Sequence, residues 1–440
     1  MNGPALEALA VDVAVVGAGP AGIAAAAVIA ETGRRVVVLD EAMNVGGQIW
    51  RHRRGTLAPA AARGWLRRLE RSGATILSET SVVDVRDDVD TGRFAITAER
   101  GVSPSLVNAT TIVLATGARE RFIPFPGWTL PGVVGVGGAQ ALLKSGLDVA
   151  GRRVVIVGSG PLLLPVAASL AAAGAHVVRV SEQATSRAVR RFAIGLWRRP
   201  GALAQAARYR AGFRSTPYVM GEWVAAARGD GRVQEVTITD GRREHTIACD
   251  LLCAAYGLVP NTRLPRLVGC DVRDGAVVVD EHQRTSHPRA YSVGETTGIG
   301  GVDLALAEGE LAATHIIGRP AGASLRRRRA SLHSMATGMN TAFALRGELR
   351  AVVTPDTVVC RCEDVRCGAL RADWTIRQAK LYTRVGMGPC QGRVCGTALE
   401  FLNGWPADSV RVPAEPALLS TILAEAATVA ASPRYQGASR

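Results

Sequence analysis

The segment VDVAVVGAGPAG, Val11–Gly22, decides the fold of the chain that contains it. Its β-branched first half predicts a short buried strand, and its glycines predict a turn that leads into a helix. Gly17 permits the tight turn, Gly19 lets the backbone approach a pyrophosphate, and Gly22 lets the helix pack closely on the strand. The residues expected to line the dinucleotide site in this turn are Gly17, Gly19, Pro20, Ala21 and Gly22.

The residues after this turn complete the dinucleotide-binding unit. An alanine-rich stretch to Ile29 predicts the helix, and the run Arg35–Leu39 predicts a second strand that ends at Asp40 and Glu41. The helix N-terminus favours phosphate, because its unpaired N–H groups and its dipole attract anions. An acidic residue after the second strand is placed to bind a ribose hydroxyl, and we expect Glu41 rather than Asp40 to do so.

Three later motifs indicate which dinucleotide binds. They are Gly46-Gly47-Gln48, then Ala115-Thr116-Gly117 after the apolar strand Thr111–Leu114, and Gly294-Glu295 after Tyr291. The set resembles that of two-dinucleotide-domain flavoproteins, and the resemblance implies FAD at the N-terminal site. An aspartate in those proteins contacts the ribityl and phosphate region, whereas Glu295 stands here. The resemblance also implies that Gly300, Gly301 and a helix from about Val302 direct N–H groups towards the isoalloxazine carbonyl.

A second nucleotide fold is predicted between these motifs. Its strand Arg153–Val157, its turn Gly158-Ser-Gly160, its helix Leu164–Ala173 and its second strand His176–Val180 with Glu182 follow the order of the first unit. Leu163 replaces the third glycine, and Pro165 stands where related NAD(P)H-using flavoproteins carry a glutamate. A nicotinamide site, an ATP site and an empty structural domain therefore all stay open. An acid after the second strand disfavours NADP, because it would repel the 2′-phosphate.

Four of the eight cysteines form two close pairs, Cys360 with Cys362 and Cys390 with Cys395. Four thiolates satisfy a [2Fe-2S] cluster, in which each iron takes two protein sulfurs. A tetrahedral zinc site is the main alternative, and a disulfide is a weaker one. The Cys-x-Cys spacing is tighter than that of zinc knuckles, and a secretory context for disulfides is missing. The pattern therefore favours the cluster, and with it single-electron transfer.

The residues around the cysteines read VVCRCEDVRCGAL from Val358 and TRVGMGPCQGRVCG from Thr383. Here the chain resembles, over nearly its whole length, the alpha subunits of hydrogen cyanide synthase, opine oxidase and D-hydroxyproline or proline dehydrogenase complexes. Cys367 lies outside the family pattern, and we expect a partly buried packing residue on a helix. The resemblance implies a C-terminal ferredoxin-like domain whose [2Fe-2S] ligands are Cys360, Cys362, Cys390 and Cys395.

The resemblance also implies partners and a function. In the family, a separate FAD-containing beta subunit related to D-amino-acid dehydrogenases oxidises the substrate, and the alpha subunit passes electrons onward, sometimes with a small ferredoxin-like third subunit. The chain is thus expected to be the relay subunit of a heteromeric dehydrogenase. Its CRCEDV opening favours cis-4-hydroxy-D-proline as the substrate over a D-amino acid, an opine or glycine. FMN at a subunit interface and a peripheral contact with the respiratory chain are further expectations.

Other chemistries are excluded or stay as alternatives. Disulfide reductases of this architecture carry a cysteine pair near the flavin, but Met43–Arg54 contains no cysteine. Cys249, Cys253 and Cys270 lack both the Cys-x-x-Cys spacing and the charged surroundings of a reactive thiol, so we expect packing residues. Two alternatives to the relay subunit remain, a stand-alone NAD(P)H:acceptor reductase and a mainly structural subunit.

Composition agrees with a large α/β enzyme. The chain has 440 residues, 49 glycines and a hydrophobic fraction of 48%, which predicts two or three domains. Its formal net charge of +14 comes from the arginines of Arg187–Arg214 and Arg326–Arg329, but no nucleic-acid module surrounds them. A solvated basic face, or contact with an acidic partner, is expected instead. The sequence predicts no membrane span and no signal peptide, and we expect a cytoplasmic protein.

The predicted fold class is α/β, a two-dinucleotide-binding-domain flavoprotein with a small C-terminal [2Fe-2S] domain. We expect the FAD-binding domain to comprise two stretches of chain, 1–120 and 251–325, with the second nucleotide domain inserted between them at 121–250. A linker helix is expected at 326–350 and the cluster domain at 351–440.

Overall fold

The structure is a computed structural model that describes residues 8–52, 56–406 and 409–430. Its strands, numbered along the chain, are β1 (Leu9–Val16), β2 (Val36–Leu39), β3 (Thr75–Leu77), β4 (Thr80–Asp88), β5 (Arg93–Arg100), β6 (Ser103–Leu114), β7 (Ala118–Glu120), β8 (Val133–Val134), β9 (Arg153–Ser159), β10 (His176–Glu182), β11 (Tyr218–Met220), β12 (Trp223–Arg228), β13 (Glu235–Thr239), β14 (Glu244–Ala248), β15 (Leu251–Tyr256), β16 (Leu258–Pro260), β17 (Val272–Arg273), β18 (Ala276–Val277), β19 (Ala290–Ser292), β20 (Val358–Cys360) and β21 (Val365–Arg366). The helices are α1 (Pro20–Ala30), α2 (Ala60–Arg71), α3 (Val136–Lys144), α4 (Leu163–Ala172), α5 (Ser186–Gly195), α6 (Pro200–Ala211), α7 (Arg263–Leu267), α8 (Val302–Ile316), α9 (Ala323–Ala342), α10 (Ile376–Thr383), α11 (Cys395–Asn403) and α12 (Leu419–Ala430).

The chain divides into two compact units. The first is built from the described residues of Met1–Arg119, Pro260–Ser334 and Ser409–Arg440, and the second from those of Glu120–Val259 and Met335–Asp408. The polypeptide therefore passes from one unit to the other several times, as expected for a domain inserted into another.

The first unit contains a seven-stranded sheet. Its order is β3-β2-β1-β6-β5-β4, and β19 also pairs with the end of β6. The pairs from β3 to β6 are parallel, whereas β4, β5 and β6 form an antiparallel meander. Helices α1 and α8 pack so closely that only glycine fits at position 309. A Cβ on Gly309 would lie 2.3 Å from the Ala21 carbonyl oxygen. This packing seats the first glycine turn at the carboxyl edge of the parallel strands.

The second unit repeats the parallel arrangement. Its five-stranded sheet has the order β11-β10-β9-β15-β8, and all its pairs are parallel. A separate antiparallel sheet, β12-β13-β14, completes the nucleotide-type portion of the unit. The predicted α/β class with two dinucleotide-type folds is therefore confirmed.

The structure places three segments differently from the expected domain bounds. Strand β15 (Leu251–Tyr256) lies between β9 and β8 in the second sheet, so the second unit extends to Val259 and not to 250. The helix expected at 326–350 is the 20-residue α9, which begins earlier, at Ala323, and ends at Ala342. The stretch after Ser409 belongs to the first unit, where the Ala414 amide donates to the Val83 carbonyl at 2.7 Å. Strand pairing and backbone bonding to distant residues decide these bounds.

The cysteine-rich portion of the second unit is small and has its own core. Strands β20 and β21 form a hairpin next to α10 and α11, around Val359, Val365, Leu399 and Trp405. The indole of Trp128 donates to the Val358 carbonyl at 2.6 Å and ties this portion to the rest of its unit. The hairpin and the start of α11 thereby bring the two cysteine pairs to one place.

Two surface features bear on the expectations from composition. Helices α5 and α6, which carry much of the basic stretch Arg187–Arg214, have no buried residue, as a solvated basic face requires. Among the residues that the structure describes, no helix combines the length and apolar character needed to cross a bilayer.

Candidate functional site

The first glycine turn is closed on one side and open on the other. Gly17 has a φ of +104°, and a Cβ on it would lie 2.3 Å from the Ala115 carbonyl oxygen. A Cβ on Gly22 would lie 1.9 Å from the Gly17 carbonyl oxygen, so neither position accepts a side chain without a backbone shift. A Cβ on Gly19, in contrast, would meet no atom within 4 Å. The turn therefore presents bare backbone to open space, which fits a pyrophosphate at the start of α1.

The two acids after β2 have different surroundings. The carboxylate of Asp40 accepts hydrogen bonds from the backbone amides of Ala18 and Ala42, the second at 2.7 Å. Burial raises the pKa of Asp40, although these amides act against the rise. Glu41 is exposed at the same edge of the sheet. Asp40 thus holds the glycine turn in shape, and the exposed Glu41 stays the predicted ribose ligand.

The loop Gly46-Gly47-Gln48 lies against the same turn. The Gly46 amide donates to the Ala18 carbonyl at 2.8 Å, and a Cβ on Gly47 would lie 3.0 Å from the Gly19 Cα. Gly46 and Gly47 both have positive φ. At Gly47 a larger residue is therefore disfavoured both by the backbone conformation and by the contact with Gly19. Gln48 follows with an exposed side chain. The structure therefore brings the first and second predicted motifs together.

The third motif is joined to two residues that sequence reasoning missed. The Gly117 amide donates to the Thr296 hydroxyl at 3.2 Å, and the Thr116 hydroxyl donates to the Asn261 carbonyl at 2.7 Å. The side-chain amide of Asn261 returns a bond to the Thr116 carbonyl at 2.9 Å. Thr296 directly follows the predicted motif Gly294-Glu295, and Asn261 follows Pro260 at the end of an apolar strand. Both residues could therefore have been found from the sequence features next to them.

The last motif packs against α1 and leads into α8. A Cβ on Gly294 would lie 2.8 Å from the Ala21 Cβ, which seats this motif against α1. Burial raises the pKa of Glu295, although the nearby Gly301 amide acts against the rise. Helix α8 begins at Val302 as expected. Glutamate is one methylene longer than aspartate, and its carboxyl reaches the start of this helix.

Glu308 is a buried acid in α8 that sequence reasoning also missed. Its carboxylate accepts from the Gly294 amide and from the Thr297 hydroxyl, each at 3.0 Å, and lies 3.6 Å from the Arg329 guanidinium. Burial raises the pKa of Glu308 to about 7, against these partners. The sequence signal for Glu308 was a single acid on the apolar face of a helix. In the structure, Glu308 holds the Gly294 turn.

The second glycine turn is built differently. A Cβ on Gly158 would lie 1.7 Å from the Ala255 carbonyl oxygen, so this turn is also closed against its sheet. Leu163 is fully buried, and α4 begins there, at the third residue after Gly160. Helix α1 begins directly after Gly19. The leucine in place of the third glycine is accommodated by a later helix start, and this alters the region of the fold that would bind phosphate.

The carboxylate of Glu182 is already hydrogen-bonded to backbone amides within the second fold. Its carboxylate accepts from the amides of Gly160 at 2.7 Å and Ala184 at 2.8 Å, and burial raises its pKa to about 7. It therefore corresponds to Asp40 and holds the turn. A ribose hydroxyl has no access to this buried carboxylate.

The four predicted cysteine ligands are brought together as two pairs. Cys360 and Cys395 are buried and within hydrogen-bonding reach of each other, and Cys362, which is exposed, is within such reach of Cys390. A Cβ on Gly388 would lie 2.3 Å from the Cys362 Cβ, so the loop needs glycine to pass this close. These pairs join the hairpin to α11 and to the loop before it, and they differ from the pairs that are close in sequence.

The backbone around Cys360 favours its thiolate. The Cys395 thiol, as a hydrogen-bond donor, lowers the pKa of Cys360 to about 6, against the effect of burial. Backbone amides of Gly386, Glu363 and Cys362 also donate to this sulfur and lower its pKa further. Such amides stabilise the negative charge that the sulfurs of an iron-sulfur cluster carry.

The cysteine arrangement can be compared with the ligand needs of each metal alternative. Within 8–52, 56–406 and 409–430, no group of three or more His, Cys, Asp or Glu side chains is arranged to hold a single metal ion. A tetrahedral zinc site needs four ligands around one point, whereas a [2Fe-2S] cluster needs two thiolates at each of two irons. All eight cysteines are free of disulfides. Two pairs of free thiols are compatible with the two thiolates that each iron of a [2Fe-2S] cluster takes.

The remaining cysteines have no reactive setting. Cys249, Cys253 and Cys270 are buried, and burial raises the pKa of each thiol, to about 11 for Cys249. Cys367 starts a short 3₁₀ turn and packs against the core of the cysteine-rich portion, and burial raises its pKa as well. The expectation of packing residues agrees with these positions.

Comparison with known proteins assigns the family. A sequence profile of the pyridine nucleotide-disulphide oxidoreductases matches residues 11–309. The chain belongs to this family. The A subunit of opine oxidase from Rhizobium meliloti (strain 1021) is 34% identical over 429 residues, which cover 89% of this chain and 92% of that protein. The HcnB subunit of hydrogen cyanide synthase from Pseudomonas aeruginosa is 31% identical over 418 residues, which cover 87% and 90%.

Solved structures share the fold of this chain. L-Proline dehydrogenase from P. horikoshii superimposes with a TM-score of 0.69 at 22% identity, over 96% of this chain and 81% of that chain. Thioredoxin reductase from T. acidophilum gives a TM-score of 0.57 at 22% identity, over 70% of this chain and 98% of that chain. The predicted resemblance to subunits of opine oxidase and hydrogen cyanide synthase is confirmed, and the chain is an FAD-dependent oxidoreductase of this family.

Proposed function

We propose that the chain is the electron-transferring subunit of a heteromeric amino-acid or imino-acid dehydrogenase. The observation that carries this proposal is the presence, in one chain, of a glycine-turn cradle for FAD and of four free cysteines in two contact pairs. A disulfide reductase also needs a cysteine pair near the flavin. The described residues between Met43 and His52 include no cysteine.

The first unit would hold FAD, which supplies two-electron chemistry when bound. Gly19 and the start of α1 would hold the pyrophosphate, and the exposed Glu41 would hold the ribose. Buried acids support this cradle from behind, because Asp40 and Glu308 bind the amides of the first and last motifs. The chain's own contribution is thus a rigid backbone surface that needs little rearrangement to bind the nucleotide.

The second unit would hold a [2Fe-2S] cluster, which supplies one-electron transfer. Cys360 and Cys395 would be the inner ligands and Cys362 and Cys390 the outer ligands, as their burial indicates. The backbone donors around Cys360 would stabilise its thiolate in either redox state. Free thiols that load iron require a reducing compartment, which supports a cytoplasmic location.

The substrate and partners are proposed from relatives. The similar proteins are subunits of an opine oxidase and of hydrogen cyanide synthase. We propose that an FAD-containing beta subunit related to D-amino-acid dehydrogenases oxidises cis-4-hydroxy-D-proline, and that this chain passes the electrons onward. A small ferredoxin-like subunit, FMN at a subunit interface and a peripheral contact with the respiratory chain belong to the same proposal. D-amino acids, opines and glycine are the competing substrates.

The test is anaerobic visible absorbance with electron paramagnetic resonance (EPR) on the purified chain. The spectra are recorded alone, with NADH, and with cis-4-hydroxy-D-proline in the presence of a co-expressed partner subunit. The proposal expects flavin bands in the chain alone and a reduced [2Fe-2S] signal only when partner and imino acid are both present. D-proline, an opine and glycine serve as matched substrates in the last arm.

Each other outcome selects a different function. Reduction of the chain by NADH alone would establish a stand-alone NAD(P)H:acceptor reductase. A colourless chain that contains zinc would refute both redox functions. Loss of complex assembly without loss of electron transfer after Cys390→Ser would indicate a mainly structural subunit.

A further inference from the structure

The second glycine turn is covered by another segment of the same unit. The segment Phe343–Arg346, called here the covering segment, follows helix α9 and precedes the cysteine-rich portion. The Ser159 hydroxyl in the middle of the turn donates to the Phe343 carbonyl at 2.8 Å. Ala344 is exposed, so the covering segment forms the outer surface at this place.

Gln183 makes most of the contact with the covering segment. Its side-chain nitrogen donates to the Ser159 hydroxyl at 2.8 Å and to the Ala344 carbonyl at 3.0 Å. Its side-chain oxygen accepts from the Arg346 amide at 3.2 Å. Gln183 has no exposed surface, and these bonds use both hydrogens of its amide nitrogen and its oxygen.

Strand register shows what Gln183 replaces. In the first fold, β1 and β2 pair Val16 with Leu39, which sets Gly17 beside Asp40 and puts Glu41 next. In the second fold, β9 and β10 pair Gly158 with Glu182, which puts Gln183 next. Gln183 therefore stands where Glu41 stands in the first fold, at the position that binds a ribose hydroxyl in dinucleotide folds.

Side-chain contacts hold the covering segment on both flanks. The Arg346 guanidinium lies over the Trp223 ring, 4.8 Å from its centroid. The ring of Phe343 meets that of Phe192 edge-on, with centroids 5.8 Å apart. The covering segment is thus anchored by a cation–π contact and an aromatic pair as well as by the bonds to Ser159 and Gln183.

We infer that the ribose position of the second nucleotide fold binds the chain's own covering segment, so that this fold is an internal dock for the chain leading to the cysteine-rich portion. NAD(P)H and ATP are excluded from it while the segment is in place, because their ribose would need the Gln183 amide and the space of Ala344. The late start of α4 at Leu163 also disfavours nucleotide binding, because it alters the position where the phosphate would lie. The inference stands on these contacts alone and does not rest on the proposed electron relay.

The inference is tested by hydrogen–deuterium exchange with mass spectrometry on the full chain, with and without millimolar NADH, NADPH or ATP. We expect no nucleotide to change exchange in peptides that cover 156–164, 181–185 or 343–346. In Gln183→Leu, the Arg346 amide loses its acceptor, and we expect exchange in the 343–346 peptide to rise about tenfold or more. Ser159→Ala is the milder variant and removes only the bonds of one hydroxyl. Gln205→Leu, at an exposed glutamine in α6, is the matched control.

Two results would overturn the inference. One is nucleotide-dependent protection of the 156–164 peptide in the wild-type chain, which would show an accessible site. The other is unchanged exchange at 343–346 in both Gln183→Leu and Ser159→Ala. Flavin occupancy, measured on the same samples, separates this result from failure of the proposed function, because the dock and the FAD cradle lie in different units.

Discussion

Gly19 and Gly22 lie three residues apart in one turn, and the structure predicts opposite consequences for the same substitution. Gly19 has φ −73° and ψ 178°, which alanine adopts without strain, and its Cβ would meet nothing within 4 Å. Gly19→Ala should leave the free energy of unfolding unchanged or raise it by about 0.4–1 kcal/mol, through a less flexible unfolded chain. The methyl group would instead occupy space that the pyrophosphate needs.

The expected loss of FAD affinity in Gly19→Ala follows from the bonds at stake. A hydrogen bond to a charged group contributes about 1.5–3 kcal/mol, so losing one backbone N–H bond to phosphate weakens binding by about tenfold to a hundredfold. Gly22→Ala should act on the fold, because its Cβ would lie 1.9 Å from the Gly17 carbonyl oxygen. Overpacking of this kind lowers the free energy of unfolding by about 1–3 kcal/mol. The higher helix propensity of alanine offsets up to about 1 kcal/mol of this loss.

Two measurements separate these effects. Denaturant unfolding of flavin-free protein gives the stability, and titration with FAD, followed by flavin fluorescence, gives the affinity. Gly64→Ala, in α2 with open space around it, is the control and should keep wild-type affinity. The reasoning would be refuted if Gly19→Ala bound FAD as tightly as the wild type, or if Gly22→Ala were as stable as the wild type.

Three further predictions concern other regions of the site. The Glu308 pKa is raised from 4.5 to about 7, so the folded chain binds the extra proton between these values, and stability should fall by up to about 3 kcal/mol as pH rises through them. Glu308→Gln should flatten this dependence in urea unfolding at pH 5 and pH 8; an unchanged slope would contradict the assignment. Cys360→Ser should lose nearly all bound iron, because this ligand is buried, whereas Cys362→Ser should retain some of it with a shifted EPR spectrum; equal iron loss in both would argue against inner and outer pairs. Thr296→Val should cost about 1–3 kcal/mol in unfolding experiments, because Thr296 is buried and the Gly117 amide loses its acceptor, and a wild-type stability would show that this bond is dispensable.

The sequence was a good guide to the first glycine turn and a poor one to what surrounds it. The roles of Gly17 and Gly22 could be predicted because the strand, turn and helix around them form a local motif, although the carbonyl that crowds Gly17 belongs to the distant Ala115. Thr296, Asn261 and Glu308 were missed because their partners are distant in sequence or carry no recognisable pattern.

The sequence by itself determined the two dinucleotide-type folds, since strand patterns and glycine turns are local properties. The preference for Glu41 over Asp40 and the four cysteine ligands stay predictions. Only the tertiary structure decided that β15 belongs to the second sheet, that the stretch after Ser409 belongs to the first unit, and which cysteines form pairs. It alone showed that the chain covers its own second nucleotide fold, through a bond between residues 184 positions apart. Such contacts depend on how folded elements meet, and no short stretch of sequence contains that information.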